Sequence, residues 1–193
     1  MAKDKVKVGL LGFGTIGGGV AKVLLQNKDL IASRCSMPVE LALVVDLAKE
    51  ATVAKMESIG LPQNMYSSSV NDIIDNDDID IMVELIGGVH PALEFITDAL
   101  KKGKTVVTAN KDLIASHGGE LLQLASEHNT DLHFEASVAG GIPIIHTLKE
   151  SLAANQIQEI MGVLNGTTNY ILTQMAEKGL DFSVCLQEAQ KLG

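Results

Sequence analysis

The chain has 193 residues, 46% of them apolar, with 18 glycines and a formal charge of −9. That length holds one full domain and part of another with a real hydrophobic core, and the composition excludes a disordered chain. There is no basic excess to displace counterions from nucleic acid or to hold an anionic membrane, so neither is expected as a partner.

The opening "MAKDKVKVGLLGFG" mixes charges into a short apolar run that turns glycine-rich, which reads as a strand and not as a signal peptide. No uncharged apolar stretch reaches the roughly 18 residues of a membrane helix. Cys35 and Cys185 lie far apart without CxxC spacing. They read as reduced thiols of a cytoplasmic protein.

Val6 to Leu11 forms the first strand, and Ile16, Val20, Val23 and Leu24 follow at helical spacing. "VELALVVD" (39–46) is a second strand and residues 48–58 a helix. "VNDIID" is a short helix and "IDIMVELIG" a strand. Pro91 opens a helix with a core face of Ala92, Phe95, Ile96, Ala99 and Leu100, stopped by Gly103. "KTVVTAN" is a further buried strand, followed by a helix carrying Leu121, Leu122, Leu124 and Ala125, and then the strand "DLHFEA". Apolar strands alternating with amphipathic helices predict an α/β, doubly wound Rossmann-type parallel sheet over residues 1–135. From 136 to 193 the rhythm changes to a helix at 140–155, a strand at 156–166 and two more helices. That pattern is the start of an incomplete α+β substrate and dimerisation domain.

"GLLGFGTIGGG" sets Gly12, Gly14 and Gly17 in the pattern GxGxxG, directly after a strand and at the opening of a helix. Gly12 permits the tight turn, Gly14 a close approach of pyrophosphate, and Gly17 close helix–strand packing. The helix start then offers free N–H groups and a partial positive charge to the phosphates. The candidate cofactor contacts on this turn are Gly12, Phe13, Gly14, Thr15, Ile16 and Gly17. Asp46, ending the second strand, is the acidic residue expected to accept the adenosine ribose hydroxyls. It favours NAD and disfavours a 2′-phosphate, an effect that Lys49 partly offsets, so NADP is tolerated. In "ELIGG" (84–88), Gly87 and Gly88 let a cofactor pass close to the backbone at the carboxyl edge of the sheet.

Other chemistries lack a pattern. The acidic run "DNDDID" has neither the glycine nor the terminal glutamate of a calcium loop. The five histidines show no HExxH or comparable spacing, and no GxSxG is present. A lysine near the cofactor edge, Lys111 in "TVVTANKDLI", is the remaining polar side chain of interest.

Several segments together resemble homoserine dehydrogenase: "GFGTIGGGV", "ELIGG", "VTANKDLIA", "FEASVAGGIPII", "VLNGTTNYIL" and "AQKLG". The resemblance runs from residue 5 to residue 193. It implies NAD(P)-dependent interconversion of L-homoserine and L-aspartate 4-semialdehyde, on the route from aspartate to threonine and methionine. It places Gly87, Thr108, Asn110 and Lys111 at the cofactor edge and makes Lys111 catalytic, an amine whose pKa partial burial would lower. It implies substrate contacts from Gly166 and Thr167. A plain helix N-cap by Asn165 or Thr167 is the competing reading there. It also implies a sodium ion held by Glu135, Val138, Gly140 and Ile142, and a homodimer in the full-length enzyme. Family members often carry arginine where this chain has Val45, which counts against NADP. The family's substrate-binding glutamate and aspartate and its second lysine have no counterpart in these residues, so the chain is expected to bind cofactor with little turnover. Two other readings stay open: a non-catalytic nucleotide-binding or redox-sensing module, and another amino-acid dehydrogenase of the same fold.

Overall fold

The computed structural model describes residues 3–163 and 165–192. They fall into two compact units divided between Lys149 and Glu150.

The first unit is built on a six-stranded sheet: β1 (Val6–Leu11), β2 (Val39–Val45), β3 (Tyr66–Ser67), β4 (Ile81–Glu84), β5 (Thr105–Thr108) and β6 (Leu132–His133). The order is β3-β2-β1-β4-β5-β6 and every pair is parallel. Among the described residues six α-helices belong to this unit: α1 (Thr15–Gln26), α2 (Lys28–Cys35), α3 (Lys49–Ser58), α4 (Asn71–Ile74), α5 (Ala92–Lys101) and α6 (Lys111–Glu127).

Strand periodicity sends successive side chains to opposite faces, and the core divides accordingly. Leu10, Val44 and Val83 pack with Ala21 of α1 and Met56 of α3 on one face. Leu11, Val45 and Met82 pack with Ile96 of α5 and Leu113 and Leu121 of α6 on the other. With helices on both faces the strands must be apolar throughout, which is why they read as unbroken runs. The predicted α5 face forms as expected, with Ala92, Ile96, Ala99 and Leu100 fully buried.

In α1 the burial differs from the apolar spacing. Ile16 and Val23 are 61% and 52% exposed, and the buried residues are Gly17, Gly18 and Ala21. At Gly17 a backbone carbonyl of the preceding turn leaves no room for a side chain, and at Gly18 the flexible end of the Lys55 side chain lies over the helix. A Cβ on Gly18 would come within 2.6 Å of Lys55 Cε.

Two elements differ from the sequence reading by being extra. The helix α2 occupies part of the insertion before β2 and buries no residue, so it carries no periodic signal. The two-residue edge strand β3 is too short to show one. The "DNDDID" segment lies at the amino-terminal edge of the sheet. Asp77 and Asp78 are exposed there, while the Asp80 carboxylate accepts the Lys7 N–H at 2.8 Å and pairs with Lys3. Lys104, only 5% exposed, donates to the carbonyls of Asn76 (2.7 Å) and Ile79 (2.8 Å) and closes the same loop.

After β6, the predicted helix at 140–155 is shorter and looser, with a π-helical turn at Thr147–Ser151. In the second unit α7 (Gly166–Lys178) and α8 (Phe182–Leu192) pack through Ile171, Cys185 and Ala189. The expected strand at 156–166 is not formed: residues 156–163 have no regular structure, and Leu164 lies outside the described residues. A strand needs a partner for its N–H and C=O groups, and no pairing reaches this stretch among the described residues. The described part of the second unit is therefore helical, not α+β.

Asp80 ties β1 to the loop before β4. Burial of its carboxyl opposes ionisation, but the Lys3 and Lys7 hydrogen bonds and the Lys3 and Lys104 charges outweigh this and hold it below its ordinary value. A depressed folded-state pKa contributes stability that is present above the unfolded value and lost as pH falls through the folded one. Asp80→Asn should therefore lower stability to urea at pH 7. Its deficit against the parent chain should shrink as pH falls below about 4. A deficit that is constant across pH would contradict this account of Asp80.

Candidate functional site

The order β2-β1-β4 puts the reversal of strand order between β1 and β4, and the crevice at their carboxyl ends is where such sheets bind ligands. The glycine turn sits at its centre. Gly12 adopts φ +95° and donates its N–H to the Val45 carbonyl at 2.8 Å, pinning the turn to the end of β2. A Cβ on Gly17 would lie 2.1 Å from the Gly12 carbonyl oxygen, so α1 can begin here only without a side chain. Gly14 faces open space and serves as N-cap with no side-chain hydrogen bond. The first N–H groups of a helix have no intrahelical acceptors, so those of α1 remain for an anion. Thr15 and Ile16 begin the helix and are exposed.

Phe13 is buried, and its N–H donates to Asp46 Oδ2 at 2.7 Å. Asp46 Oδ1 accepts the Ala48 N–H at 2.9 Å. A carboxylate oxygen has a second lone pair, so this half-buried side chain is fixed in place and still able to accept hydroxyls. Lys55 of α3 stands over the Phe13 ring, 5.4 Å from its centroid, and donates to the carbonyls of Phe13 (3.1 Å) and Gly14. These carbonyls are thereby held on the α3 side of the turn.

A cleft of about 510 Å³ opens beside the turn, walled by Gly12, Gly14, Asp46 and Leu47 and by Ile86, Gly87, Pro91 and Phe95, with Ser68 and Val70 at one end. Ser68, Val70, Pro91 and Phe95 were not among the sequence candidates. Ser68 and Val70 come from a loop, where no periodicity marks them, while Pro91 and Phe95 read in the sequence as the opening and the core face of α5.

On the β4 and β5 side the backbone is set by side chains below it. Glu84, the last residue of β4, is fully buried. Its Oε1 accepts the N–H groups of Ile86 (2.9 Å) and Gly87 (3.1 Å), and its Oε2 accepts the Thr108 hydroxyl at 2.6 Å. Thr108 Oγ1 in turn accepts the Asn110 N–H at 3.0 Å. Asn110 Oδ1 accepts the Leu113 N–H at 3.1 Å as the N-cap of α6, and its Nδ2 donates to the Gly88 carbonyl at 2.5 Å. Gly87 takes φ +72°. Thr108 and Asn110 thus lie beneath the loop surface, and Lys111 follows as the exposed first residue of α6. The partial burial expected around its amine is not provided by the first unit.

Glu135 differs from its expected role as a cation ligand. Its Oε1 accepts the N–H groups of Ile144 (2.7 Å) and Ile145 (2.9 Å), and its Oε2 that of His146 (2.8 Å). These bonds, the His146 one foremost, hold its carboxyl below the usual range against the opposing effect of burial. Three successive backbone donors thus converge on this one carboxylate. The Glu135 carboxylate is engaged by backbone N–H groups, and its contacts lend no support to the expected sodium ion.

In the second unit Gly166 and Thr167 open α7. The N-cap is Asn165, whose Oδ1 accepts the Thr168 N–H at 2.8 Å. Among the described residues no group of three or more His, Cys, Asp or Glu side chains could hold a metal ion. No helix of the described residues is long and apolar enough to cross a membrane.

Comparison with known proteins agrees with this geometry. Residues 12–135 match the family described as "Homoserine dehydrogenase, NAD binding domain", and residues 143–193 match "Homoserine dehydrogenase". A curated homoserine dehydrogenase of Bacillus subtilis is 45% identical over 190 residues, covering 97% of this chain and 42% of the relative. A solved homoserine dehydrogenase from Thiobacillus denitrificans has 43% identity and a TM-score of 0.86, covering 98% of this chain and 43% of that one. A hyperthermophilic archaeal homoserine dehydrogenase solved in complex with NADPH has 30% identity and a TM-score of 0.80, covering 98% of this chain and 61% of that one. The chain thus spans less than half the length of the curated relatives it matches. The glycine turn at the strand-order reversal and these matches over nearly the whole chain lead to one conclusion: it belongs to the homoserine dehydrogenase family.

Proposed function

We propose that the chain is the nicotinamide-cofactor-binding part of an enzyme interconverting L-homoserine and L-aspartate 4-semialdehyde. The observation that carries this reading is the Gly12–Gly17 turn, opening toward a cleft that Asp46 and Gly87 line. Bound NAD(H) would supply the hydride chemistry. The first N–H groups of α1 would hold the pyrophosphate, and Asp46 would accept the adenosine ribose hydroxyls.

NAD is preferred over NADP in this reading. A 2′-phosphate would meet the Asp46 carboxylate, and position 45 is valine. Lys55, the cation nearest the turn, is already held by the Phe13 and Gly14 carbonyls. Lys111, exposed at the start of α6, would extend its amine toward the substrate's oxygen and help carry the proton that accompanies hydride transfer. Gly166 and Thr167 would contribute to holding the amino-acid end of the substrate. The cytoplasm is the compartment this reading implies, and a homodimer of the longer enzyme its assembly.

Fluorescence titration of the 193-residue chain should give tighter binding of NADH than of NADPH. Asp46→Asn should narrow that preference, and Gly17→Ala should weaken both ligands by about tenfold or more, because the turn must open to admit the methyl group. Equal affinity for both cofactors, unchanged by Asp46→Asn, would overturn the assignment of Asp46. For the reaction itself, this chain can replace the corresponding residues of the Bacillus subtilis relative. That chimaera should oxidise homoserine with NAD, and Lys111→Ala should lower its kcat by about 10²-fold or more. Full activity of the Lys111→Ala chimaera would refute the role given to the lysine.

A further inference from the structure

Glu84 has no place in the cofactor contacts above, yet it is the most completely enclosed charged side chain of the site. It is 0% exposed, and among the described residues no ion pair includes it. A carboxylate in that position is costly unless hydrogen bonds replace its water. Here three donors do so, two from the loop after β4 and one from Thr108 at the end of β5.

Oε1 takes the adjacent N–H groups of Ile86 and Gly87, which bends the loop after β4 and supports the positive φ of Gly87. Oε2 takes the Thr108 hydroxyl. In that bond the hydroxyl donates and the carboxyl oxygen accepts. Thr108 Oγ1 accepts the Asn110 N–H, so its own proton is free to point to Glu84. In this arrangement both carboxyl oxygens act as acceptors, which a carboxylate can do and an amide cannot. The chain of bonds continues from Asn110 in two directions. Its Nδ2 returns to the Gly88 carbonyl in the β4 loop, and its Oδ1 caps α6, whose first residue is Lys111.

We infer that Glu84 is a positioning residue for the nicotinamide end of the cofactor. Acting through Thr108 and Asn110, it locks the Gly87 loop and the Asn110–Lys111 turn into one fixed relation. It is not a proton donor or acceptor in the reaction, since it is enclosed and both its oxygens are occupied. This inference rests on the reading that the cleft takes NAD(H) with its nicotinamide on the β4–β5 side.

Two substitutions cut the same bond from opposite ends. In Glu84→Gln the amide oxygen can keep the Ile86 and Gly87 bonds, but the amide nitrogen meets Thr108 Oγ1 and leaves that hydroxyl without its acceptor. Thr108→Val removes the hydroxyl with little change of shape. ADP occupies only the side walled by Gly12, Gly14 and Asp46, and so provides the internal control. In titrations of the 193-residue chain, each variant should weaken NADH by about tenfold while changing ADP affinity by less than about twofold. Thr108→Ser should restore NADH binding. The double variant should bind NADH no worse than the weaker single one, because both remove one interaction.

Were Glu84→Gln not to fold, the contrast between Thr108→Val and Thr108→Ser carries the same test. Parallel losses of NADH and ADP, additive losses in the double variant, or no loss of NADH in either single variant would each overturn the positioning role. A parent chain that binds ADP and NADH while its variants show no contrast rejects Glu84 alone. A parent chain that binds neither ligand rejects the cofactor reading and the inference with it.

Discussion

The first turn of α1 is pressed against the carbonyl of Gly12 with no space for a methyl group, and the geometry of the crevice follows from that contact. Because Gly17 lacks a side chain, the helix can start directly above the end of β1 and point its first N–H groups into the crevice. Because Gly12 accepts a positive φ, the chain can reverse there while its N–H reaches Val45. Phe13, between them, turns its ring into the core and its N–H toward Asp46. The phosphate-facing turn and the ribose-facing carboxylate are thus parts of one hydrogen-bonded unit, fixed before any ligand arrives. Preorganisation of this kind reduces the ordering cost of binding.

The opposite wall of the crevice is organised by a different principle. The glycine turn is shaped by absence of side-chain volume; the β4 and β5 ends are shaped by a buried charge. A hydrogen bond to an ionised group contributes about 1.5–3 kcal/mol, and an enclosed carboxylate without partners costs several kcal/mol. The buried Glu84 carboxyl group is accommodated by its three donors. The loop after β4 and the end of β5, which supply those donors, are thereby tied together, which gives Lys111 a defined starting point even though its side chain is exposed. Glu135 repeats the pattern after β6, where one carboxylate gathers three successive backbone N–H groups.

Much of this was legible in the residues. The strands of a sheet covered on both faces must be apolar throughout, so β1, β2, β4 and β5 stand out as short runs, and glycines mark where the backbone turns. The GxGxxG turn and Asp46 could be located from spacing and position alone, and the motifs around Asn110 and Asn165 indicated the family. What was hidden lacks periodicity or depends on contacts distant in sequence. The helix α2 buries nothing, β3 is two residues long, and Ser68 and Val70 enter the cleft from an irregular loop. Glu84 looks like the polar end of an apolar run until Thr108, 24 residues later, is brought beside it by the β4–β5 pairing. The strand expected at 156–166 shows the reverse error, since a short apolar stretch can suggest a strand but cannot supply the partner it needs. For Glu135, the resemblance pointed to a cation ligand, whereas the contacts it makes are to three backbone N–H groups that no local pattern marks.

The central claim is that the crevice holds a nicotinamide dinucleotide in one orientation, and a crystal structure of the chain with NADH tests it most directly. The account predicts pyrophosphate oxygens within hydrogen-bond distance of the first N–H groups of α1, the adenosine ribose hydroxyls on Asp46, and the nicotinamide ring between the Gly87 loop and Lys111. NADH bound outside the crevice, or bound in it with the nicotinamide at Asp46, would contradict the account.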